Sequence, residues 1–492
     1  QMRNLKRALS LALAAIMLIG MMVVSACAVS YNDLTDKDQI VNKDAVSMLV
    51  SLGIIEGKPD GSYGPTENVD RAQMAKMLSV IMNKGVDNSA LYQSVNSGLT
   101  DITSNWAKGH INYCYTTGII AGRGNGTFDP SATVTALEAA KMLLVAVGYD
   151  PKIEGFEGAD WAINVSVRAD EQGIFEGFTK DLSAPLNRDD AALLIYNALD
   201  VEMIQSYTTN NYPIVYSDHR TILSDKYGVI KVEGVVTANE WAILDDDTDT
   251  ALQEGKTRIY NPDGILSTTG NTAVAQDSSA NVKTQVFNVS TPVDMLGKAV
   301  TMYVKKTTIL ADSTVYGAPV VSDVNTVIET GEKVTGGDSK DDDSLAALLK
   351  GTGLATDKAT EYYHNYEEVA IDSADVDDIM NVKGAALTVI DNDNDGYVNY
   401  VISVEKSLTH VSGVSSKNET TTLYGLPGDD VIDNEDIVTT ATDLTKGDVV
   451  LVVQYGGRTY VEEPKTVTGE MELFNAKNKD CDRAGGRDGA GG

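Results

Sequence analysis

Between residues 30 and 200, apolar positions recur every three or four residues, and the spacing predicts paired helices three times over. Val46, Leu49 and Val50 share one helical face, and Ala75, Leu78 and Met82 share the next. Ile111, Cys114 and Tyr115, then Ala140, Leu143, Leu144 and Val147, repeat the pattern. Ala191, Leu194, Ile195 and Ala198 repeat its second half. Each pair encloses a glycine loop: Gly53-Ile54-Ile55-Glu56-Gly57, Gly118-Ile119-Ile120-Ala121-Gly122 and Gly173-Ile174-Phe175-Glu176-Gly177. The leading glycines Gly53, Gly118 and Gly173 fit left-handed backbone at helix C-termini. A turn follows in each copy, Tyr63-Gly64-Pro65, Phe128-Asp129-Pro130 and Ala184-Pro185. Asp70 with Gln73, Thr135 with Glu138 and Asn187 with Asp190 then have capping-box spacing and mark three helix starts. A unit of this size buries its apolar face only against its neighbours.

After about residue 205 the helical period fades. β-branched runs take over, such as Val229-Ile230-Lys231-Val232, Ala299 to Val304 and Asp448 to Val453, separated by Gly, Asp and Asn. The expected architecture is therefore multidomain: an all-α three-repeat bundle followed by small β-rich domains. The expected limits are 1–28 for a signal peptide, 29–92, 93–152 and 153–204 for the repeats, and 205–330, 331–410 and 411–479 for the β-rich units. The stretches Asp245-Asp246-Asp247 and Gly336 to Ser344, which includes Asp341-Asp342-Asp343, read as acidic loops. Residues 480–492, almost only Gly, Ala, Asp and Arg, read as a disordered or aberrant tail, as of a truncated or frame-shifted end.

The 492 residues carry a formal charge of −32, spread along the chain. Such a chain repels nucleic acid and anionic membrane. Arg3, Lys6 and Arg7, the apolar run Leu9 to Val24 and Ala26-Cys27-Ala28 read as a secretory signal with Met2 as its start. Val24-Ser25-Ala26-Cys27 also fits a lipoprotein box, and either reading places the protein outside the cytoplasm. No later run is long and apolar enough to span a membrane. The cysteines, Cys27, Cys114 and Cys481, form no disulfide framework.

The repeats resemble S-layer homology domains. Asp101 and Trp106 fit that family's pattern in the second copy, Trp161 in the third and Asp33 in the first, where Ile40 stands in place of Trp. Arg71 and Arg188 occupy the arginine position of the helix start, and Ala136 departs from it. The resemblance implies a compact pseudo-threefold bundle that binds secondary cell-wall polysaccharide, often bearing pyruvylated amino sugars, in grooves between repeats. It implies Asp33, Gly57, Arg71, Asp101, Trp106, Gly122, Trp161, Gly177 and Arg188 as polysaccharide-binding positions. Chemically, an arginine beside the free N–H groups of a helix start suits a carboxylate. It suits a surface ion pair as well, and both tryptophans suit a core anchor as well as a sugar platform.

Asp391-Asn392-Asp393-Asn394-Asp395-Gly396-Tyr397-Val398-Asn399 matches the first half of a calcium loop, with Asp391, Asp393, Asp395, Tyr397 and Asn399 as ligands. Ile402 stands where the closing Glu would be, so an acidic hairpin turn is the alternative. His110, His219, His364 and His410 have no metal-ligand spacing, and there is no G-x-S-x-G elbow or P-loop. The expected protein is a non-enzymatic, secreted component of a bacterial surface layer. It anchors to wall polysaccharide, self-associates and takes no cofactor except, at most, calcium. The competing expectations are an anchored glycan hydrolase or peptidase, or a surface adhesin.

Overall fold

A computed structural model describes residues 31–244, 251–262, 264, 283–305, 313–330, 345–369, 385–426, 430–439, 443–464, 471–475 and 480–483. The expected signal segment and the acidic loops at 245–247 and 336–344 lie outside the described residues. No helix among the described residues is long and apolar enough to cross a membrane.

Six helices form where the period predicts them: α1 (Lys43–Ser51), α2 (Arg71–Met82), α3 (Lys108–Thr116), α4 (Ala136–Val147), α5 (Trp161–Glu171) and α6 (Arg188–Leu199). The first helix of each pair ends identically. Gly53, Gly118 and Gly173 adopt φ of +69°, +80° and +70°. The next amide, from Ile54, Ile119 or Ile174, reaches back to the carbonyl of Leu49, Cys114 or Ala169 at 2.8–2.9 Å. These bonds form Schellman motifs, and the Gly-Ile pair is explained by them: Gly supplies the left-handed residue and the buried Ile closes the turn. At the second helices, Asp70 with Gln73 and Thr135 with Glu138 make reciprocal capping boxes. Asn187 accepts from the Asp190 amide without a reciprocal bond, because the Asp190 carboxylate pairs with Lys180 instead.

The residue before each cap ties the three copies together. The Val69 amide donates to the Leu186 carbonyl (2.8 Å), the Leu186 amide to Val134 (2.8 Å) and the Val134 amide to Val69 (2.9 Å). All three side chains are buried, so this closed ring of hydrogen bonds forms the dry centre of the repeat assembly.

The expectation of an all-α bundle standing apart from β-rich domains is not supported. The repeat segments are joined through β-bridges, Asn68 with Asn187, Asp70 with Thr133 and Thr135 with Pro185. The helical core also runs on without a break into strands. Ile204, Tyr227, Val229 and Tyr303 belong to the same buried cluster as the helix residues. Tyr196 of α6 meets the ring of Tyr303 edge-on at 5.9 Å. Beyond the repeats the described strands form five sheets, so the molecule is not a helical bundle with satellites.

A hairpin of β1 (Ile204–Tyr207) and β2 (Pro213–Val215) leads from the helices to the first large sheet. That sheet is antiparallel, in the order β5 (Thr284–Phe287), β4 (Thr257–Tyr260), β3 (Val229–Asn239), β6 (Ala299–Lys305), β7 (Val315–Val321). Helix α1 lies on β7, where a Cβ added at Gly317 would stand 3.6 Å from the Met48 amide nitrogen. The second sheet contains β8 (Thr326–Glu329), β9 (Glu361–His364), β10 (Glu367–Glu368), β11 (Ala385–Asp391) and β12 (Tyr400–Glu405), with the short helix α7 (Leu345–Leu349) packed on it. The third contains β13 (Ser407–Ser415), β14 (Thr420–Leu423), β15 (Val431–Asp433), β16 (Ile437–Thr439), β17 (Val449–Tyr455) and β18 (Arg458–Glu462). Strand β1 therefore begins at residue 204, and β8 and β13 begin before the unit limits read from composition at 330 and 410. Asp480–Arg483, at the head of the expected tail, pair instead with Met471–Asn475; residues 484–492 lie outside the described residues.

An aromatic cluster joins the three large sheets. Tyr455 stacks on Tyr460 (4.1 Å, 16°) across the β17–β18 hairpin and meets Tyr366 of the second unit at 4.8 Å. Trp241, just after β3, meets Tyr460 at 6.3 Å and lies under the guanidinium of Arg458 at 5.3 Å.

Candidate functional site

The positions implied by the resemblance converge on the seams between repeats, and the geometry separates those that build a seam from those that face solvent. Arg71 is 4 % exposed. Its Nε donates to the Phe128 carbonyl and its Nη2 to the Ala121 carbonyl, both at 2.8 Å, and its guanidinium covers the Phe128 ring at 4.4 Å. Burial, then the nearby Arg123, lower its pKa to about 10, which leaves it charged at neutral pH. Arg188 repeats the arrangement one seam away, donating through Nε to the Tyr63 carbonyl (2.8 Å) and covering the Tyr63 ring at 4.8 Å. The Tyr63 hydroxyl returns a bond to the Arg188 carbonyl (2.6 Å). Each arginine thus bolts its helix to the turn of another repeat.

The helix starts are occupied in the same way. The Arg71 and Ala72 amides donate to the carbonyls of Ala132 (2.9 Å) and Pro130 (3.0 Å), and those of Arg188 and Asp189 to Glu67 (2.8 Å) and Pro65 (3.1 Å). The donors expected to receive a carboxylate therefore hold protein carbonyls. Ala136, at the remaining seam, supplies no guanidinium.

Asp101 is structural as well. It accepts the Phe128 amide (2.9 Å) and the Asp129 amide (2.7 Å) and so pins the turn. Slight burial pushes its carboxyl up, but these two donors outweigh it and hold the group below the usual carboxylate range. In the first copy this work falls to Asp36, which accepts from Tyr63 (2.7 Å) and Gly64 (2.8 Å), and not to the exposed Asp33. The shared Leu34-Thr35-Asp36 and Leu99-Thr100-Asp101 carry the signal that identifies it. Counted back from the loop glycine, Val41 rather than Ile40 corresponds to Trp106 and Trp161. Val41 is 82 % exposed and Trp106 57 %, so that position faces solvent in the first two copies. Trp161 is half-buried against the core. Gly57 and Gly177 close their loops on the surface, Gly177 with φ +73°.

Over the second loop lies a cleft of about 380 Å³, walled by Tyr115, Ala121, Gly122, Lys141 and Pro151 of the second repeat and by Glu157 at the start of the third. Gly122 has no room for a side chain, since a Cβ would stand 2.8 Å from the Thr127 carbonyl. The Lys141 Nζ lies over the Trp161 ring, 5.5 Å from its centroid. Burial lowers its pKa, against an opposing pull from Glu157. No ion pair within 4 Å joins it to a carboxylate among the described residues, whereas its counterpart Lys76 pairs with Glu56 at 3.0 Å.

A Ser–His–Asp row also crosses the first seam. Ser79 Oγ lies 2.6 Å from His110 Nδ1, and His110 Nε2 lies 3.6 Å from Asp87. Ser79 is not a nucleophile: it is buried in α2 and its hydroxyl donates to the Lys76 carbonyl at 2.9 Å. The row fastens α2 to α3. Burial holds the His110 pKa below its ordinary value, with Asp87 opposing and Lys76 adding to the effect. The unfolded chain then takes up this proton first, near pH 6.5. Stability from the group is therefore whole above that pH and is lost as pH falls towards the folded value. Melting curves from pH 7.5 to 5 are expected to fall more steeply for the wild-type chain than for His110→Gln; parallel curves would remove His110 as the cause.

At the proposed calcium loop, which joins β11 to β12, the carboxylates of Asp391, Asp393 and Asp395 lie within 4.8 Å of one another. The buried Asp391 already accepts the amides of Asn394 (2.8 Å) and Gly396 (3.1 Å), and Asn399 Oδ1 accepts the Asn392 amide (2.7 Å). Tyr397 keeps an exposed ring, and its amide donates to Asp395 (2.7 Å). Burial, then Asp395, raises the Asp393 pKa. Asn399 is thus committed to the turn, while the three aspartates converge.

Comparison with known proteins agrees with the repeats. The family model for the S-layer homology domain matches residues 30–75 and 98–140. The chain is 27 % identical over 397 residues to a cell surface protein of Thermoanaerobacter kivui, covering 80 % of this chain and 44 % of that protein. It is 34 % identical over 113 residues to an S-layer protein of Bacillus licheniformis, covering 23 % and 12 %. It is 27 % identical over 188 residues to the exoglucanase XynX of Acetivibrio thermocellus, covering 35 % and 16 %. The chain thus spans less than half the length of each of these relatives.

Proposed function

We propose, from the premise that this chain is a secreted, cell-wall-associated surface protein carrying S-layer homology domains, that its repeats hold it non-covalently to a secondary cell-wall polysaccharide. The observation that carries this reading is the cleft between the second and third repeats. It combines backbone from a glycine loop, an aromatic ring and a cation without an ion pair, which suits an anionic sugar. Asp101, Arg71 and Arg188 act by holding the loops in place. Gly57, Gly122, Gly177, Trp106 and Trp161 lie at or near the glycan. The β-rich remainder contributes to a surface layer through contacts between copies; the cell surface protein among the relatives, matched over 80 % of this chain, supports a surface role that extends beyond the repeats.

The full chain is the right material for the test, because the helical core continues into β3 and β6. It is expected to sediment with purified Gram-positive sacculi and to stay in solution once the polysaccharide has been stripped. Equal pelleting with stripped walls would end the anchor reading. An anchored hydrolase is the second reading, supported by the exoglucanase among the relatives and by a cleft of about 310 Å³ between the second and third sheets, where His364 stands 3.4 Å from Glu405. Reducing ends released during the sedimentation assay would favour it.

Calcium is proposed as a ligand of Asp391, Asp393 and Asp395, because their carboxylates converge. Millimolar calcium should then raise the melting temperature by several degrees. Asp393→Asn with Asp395→Asn, which spare the turn bonds of Asp391, should abolish the rise. An unchanged rise in that double variant would reassign the loop to a plain acidic turn.

A further inference from the structure

The first and third large sheets share one topology. In each, a long central strand, β3 or β13, pairs antiparallel with a hairpin partner on one side (β4 or β14) and with a later strand on the other (β6 or β17). The outer strands follow in the same order, β5 and β7 in the first sheet, β15 and β18 in the third. Each central strand carries a Val-x-Gly-Val motif, Val232 to Val235 and Val411 to Val414, and shifts register beside it against the hairpin partner. Aligned on Gly234 and Gly413, Val232 matches Val411, and both are buried. On the opposite face Val229 and Lys231 match Leu408 and His410. Their partners on the neighbouring strand, Lys305 and Tyr303, match Leu451 and Val449.

What differs is what lies on that face. In the first sheet it is covered. Val229 and Tyr303 are buried in the core of the helical repeats, and the Tyr196 ring of α6 stands edge-on to Tyr303. In the third sheet it is bare. Leu408 is 66 % exposed and Val449 52 %; Tyr424, whose ring stacks on His410 at 5.0 Å, is 62 % exposed. None of these residues is acidic, and at the border of the face the Glu462 carboxylate is paired with Lys406 at 2.8 Å. The helical repeats, seated on their own first sheet, are not free to cover it. Copies of a chain of charge −32 repel one another over most of their surface. Here two copies can approach without bringing free carboxylates together, and both gain from removing apolar side chains from water.

We propose that the bare face of the third sheet is a self-association surface and that its partner is the same face of a second copy, packed sheet on sheet about a twofold axis. The second copy takes the place that α6 takes on the first sheet. The proposal rests on the reading that the β-rich part makes contacts between copies, and it names the surface. A standard interface uses about 20–30 residues a side. This face offers far fewer, so the contact is weak singly and forms at high local concentration, as on a crowded wall.

The test is sedimentation velocity of the full chain over rising concentration, which is expected to show a monomer–dimer equilibrium. Leu408→Glu and Leu408→Lys, both at an exposed position, should each weaken dimerisation at least about tenfold through like-charge contact, with an unchanged melting temperature. An equimolar mixture of the two should restore it, because in a twofold contact the Glu face meets the Lys face. Leu91→Glu, at an exposed apolar position of the repeats, should dimerise like the wild type. Dimers that both Leu408 variants leave intact overturn this proposal and leave contacts between copies standing. Variants that lose the dimer singly, in a mixture that does not regain it, overturn the twofold partner, since the face then meets a different surface. Loss of the dimer in Leu91→Glu as well overturns the assignment to this face. A wild-type chain that stays monomeric at every concentration overturns both readings together.

Discussion

Arg71→Ala is expected to lower the stability of the chain by about 3 kcal/mol, as for a buried charged group that loses its partners. The side chain touches no solvent-facing groove, so the loss is structural. Truncation leaves the Phe128 and Ala121 carbonyls without donors, uncovers the Phe128 ring and opens a cavity where the aliphatic stem lay. Arg71→Lys should recover less than half of that, because an ammonium is a point donor and cannot span two carbonyls while lying flat on a ring. Arg188→Ala should cost about 1–2 kcal/mol, since that residue is half-buried and its Nε bond is to a single carbonyl. Urea unfolding of the full chain gives the numbers, and a cost below about 1 kcal/mol for Arg71→Ala would return the residue to the surface-pairing reading. Because Ala121 also walls the cleft, this variant should lose sacculus binding together with stability. Lys141→Met should lose binding alone, so the pair separates a bolt from a ligand contact.

The second large effect is at the junction of the sheets. Gly456→Ala is expected to cost at least about 3 kcal/mol and to shift Trp241 emission to the red. An added Cβ would stand 2.0 Å from the Trp241 carbonyl oxygen, a backbone atom of another unit that cannot step aside. Its neighbour supplies the control. Gly456 and Gly457 both have positive φ, +59° and +75°, as a two-residue hairpin turn between Tyr455 and Arg458 requires. Nothing lies within 4 Å of a Cβ at Gly457. Gly457→Ala should therefore cost only the strain of a left-handed residue, about 1 kcal/mol. Equal costs at the two positions would show that the hairpin does not hold the first sheet to the third.

Much of this was legible in the chain because the features are local. The helix faces, the Gly-Ile endings and two reciprocal caps depend on residues three to five apart, which periodicity and capping rules capture. What was missed depends on partners far away in sequence. The carbonyls that take Arg71 and Arg188 lie in other repeats, so a first-turn arginine read as a cation in search of an anion. Asp33 and Asp36 compete for one aligned position, and only the bonds to Tyr63 and Gly64 decide between them. The change of texture at 205 reads as a boundary, yet Tyr227, Val229 and Tyr303 complete the core of the helices. Lys141 carries no signal alone, since its meaning lies in the carboxylate that Lys76 has and it lacks.

The hydrogen bonds of Val69, Leu186 and Val134 have a consequence for how such a protein can grow. Each strand segment gives one bond and receives one, so the set is saturated at three. Stacked solenoids keep an unused face at each end and lengthen by adding units. Here a fourth copy would find neither donor nor acceptor at the centre. Gene duplication could multiply such an anchor only in whole triplets, and avidity for the wall would rise in steps of one triad, never by a single unit.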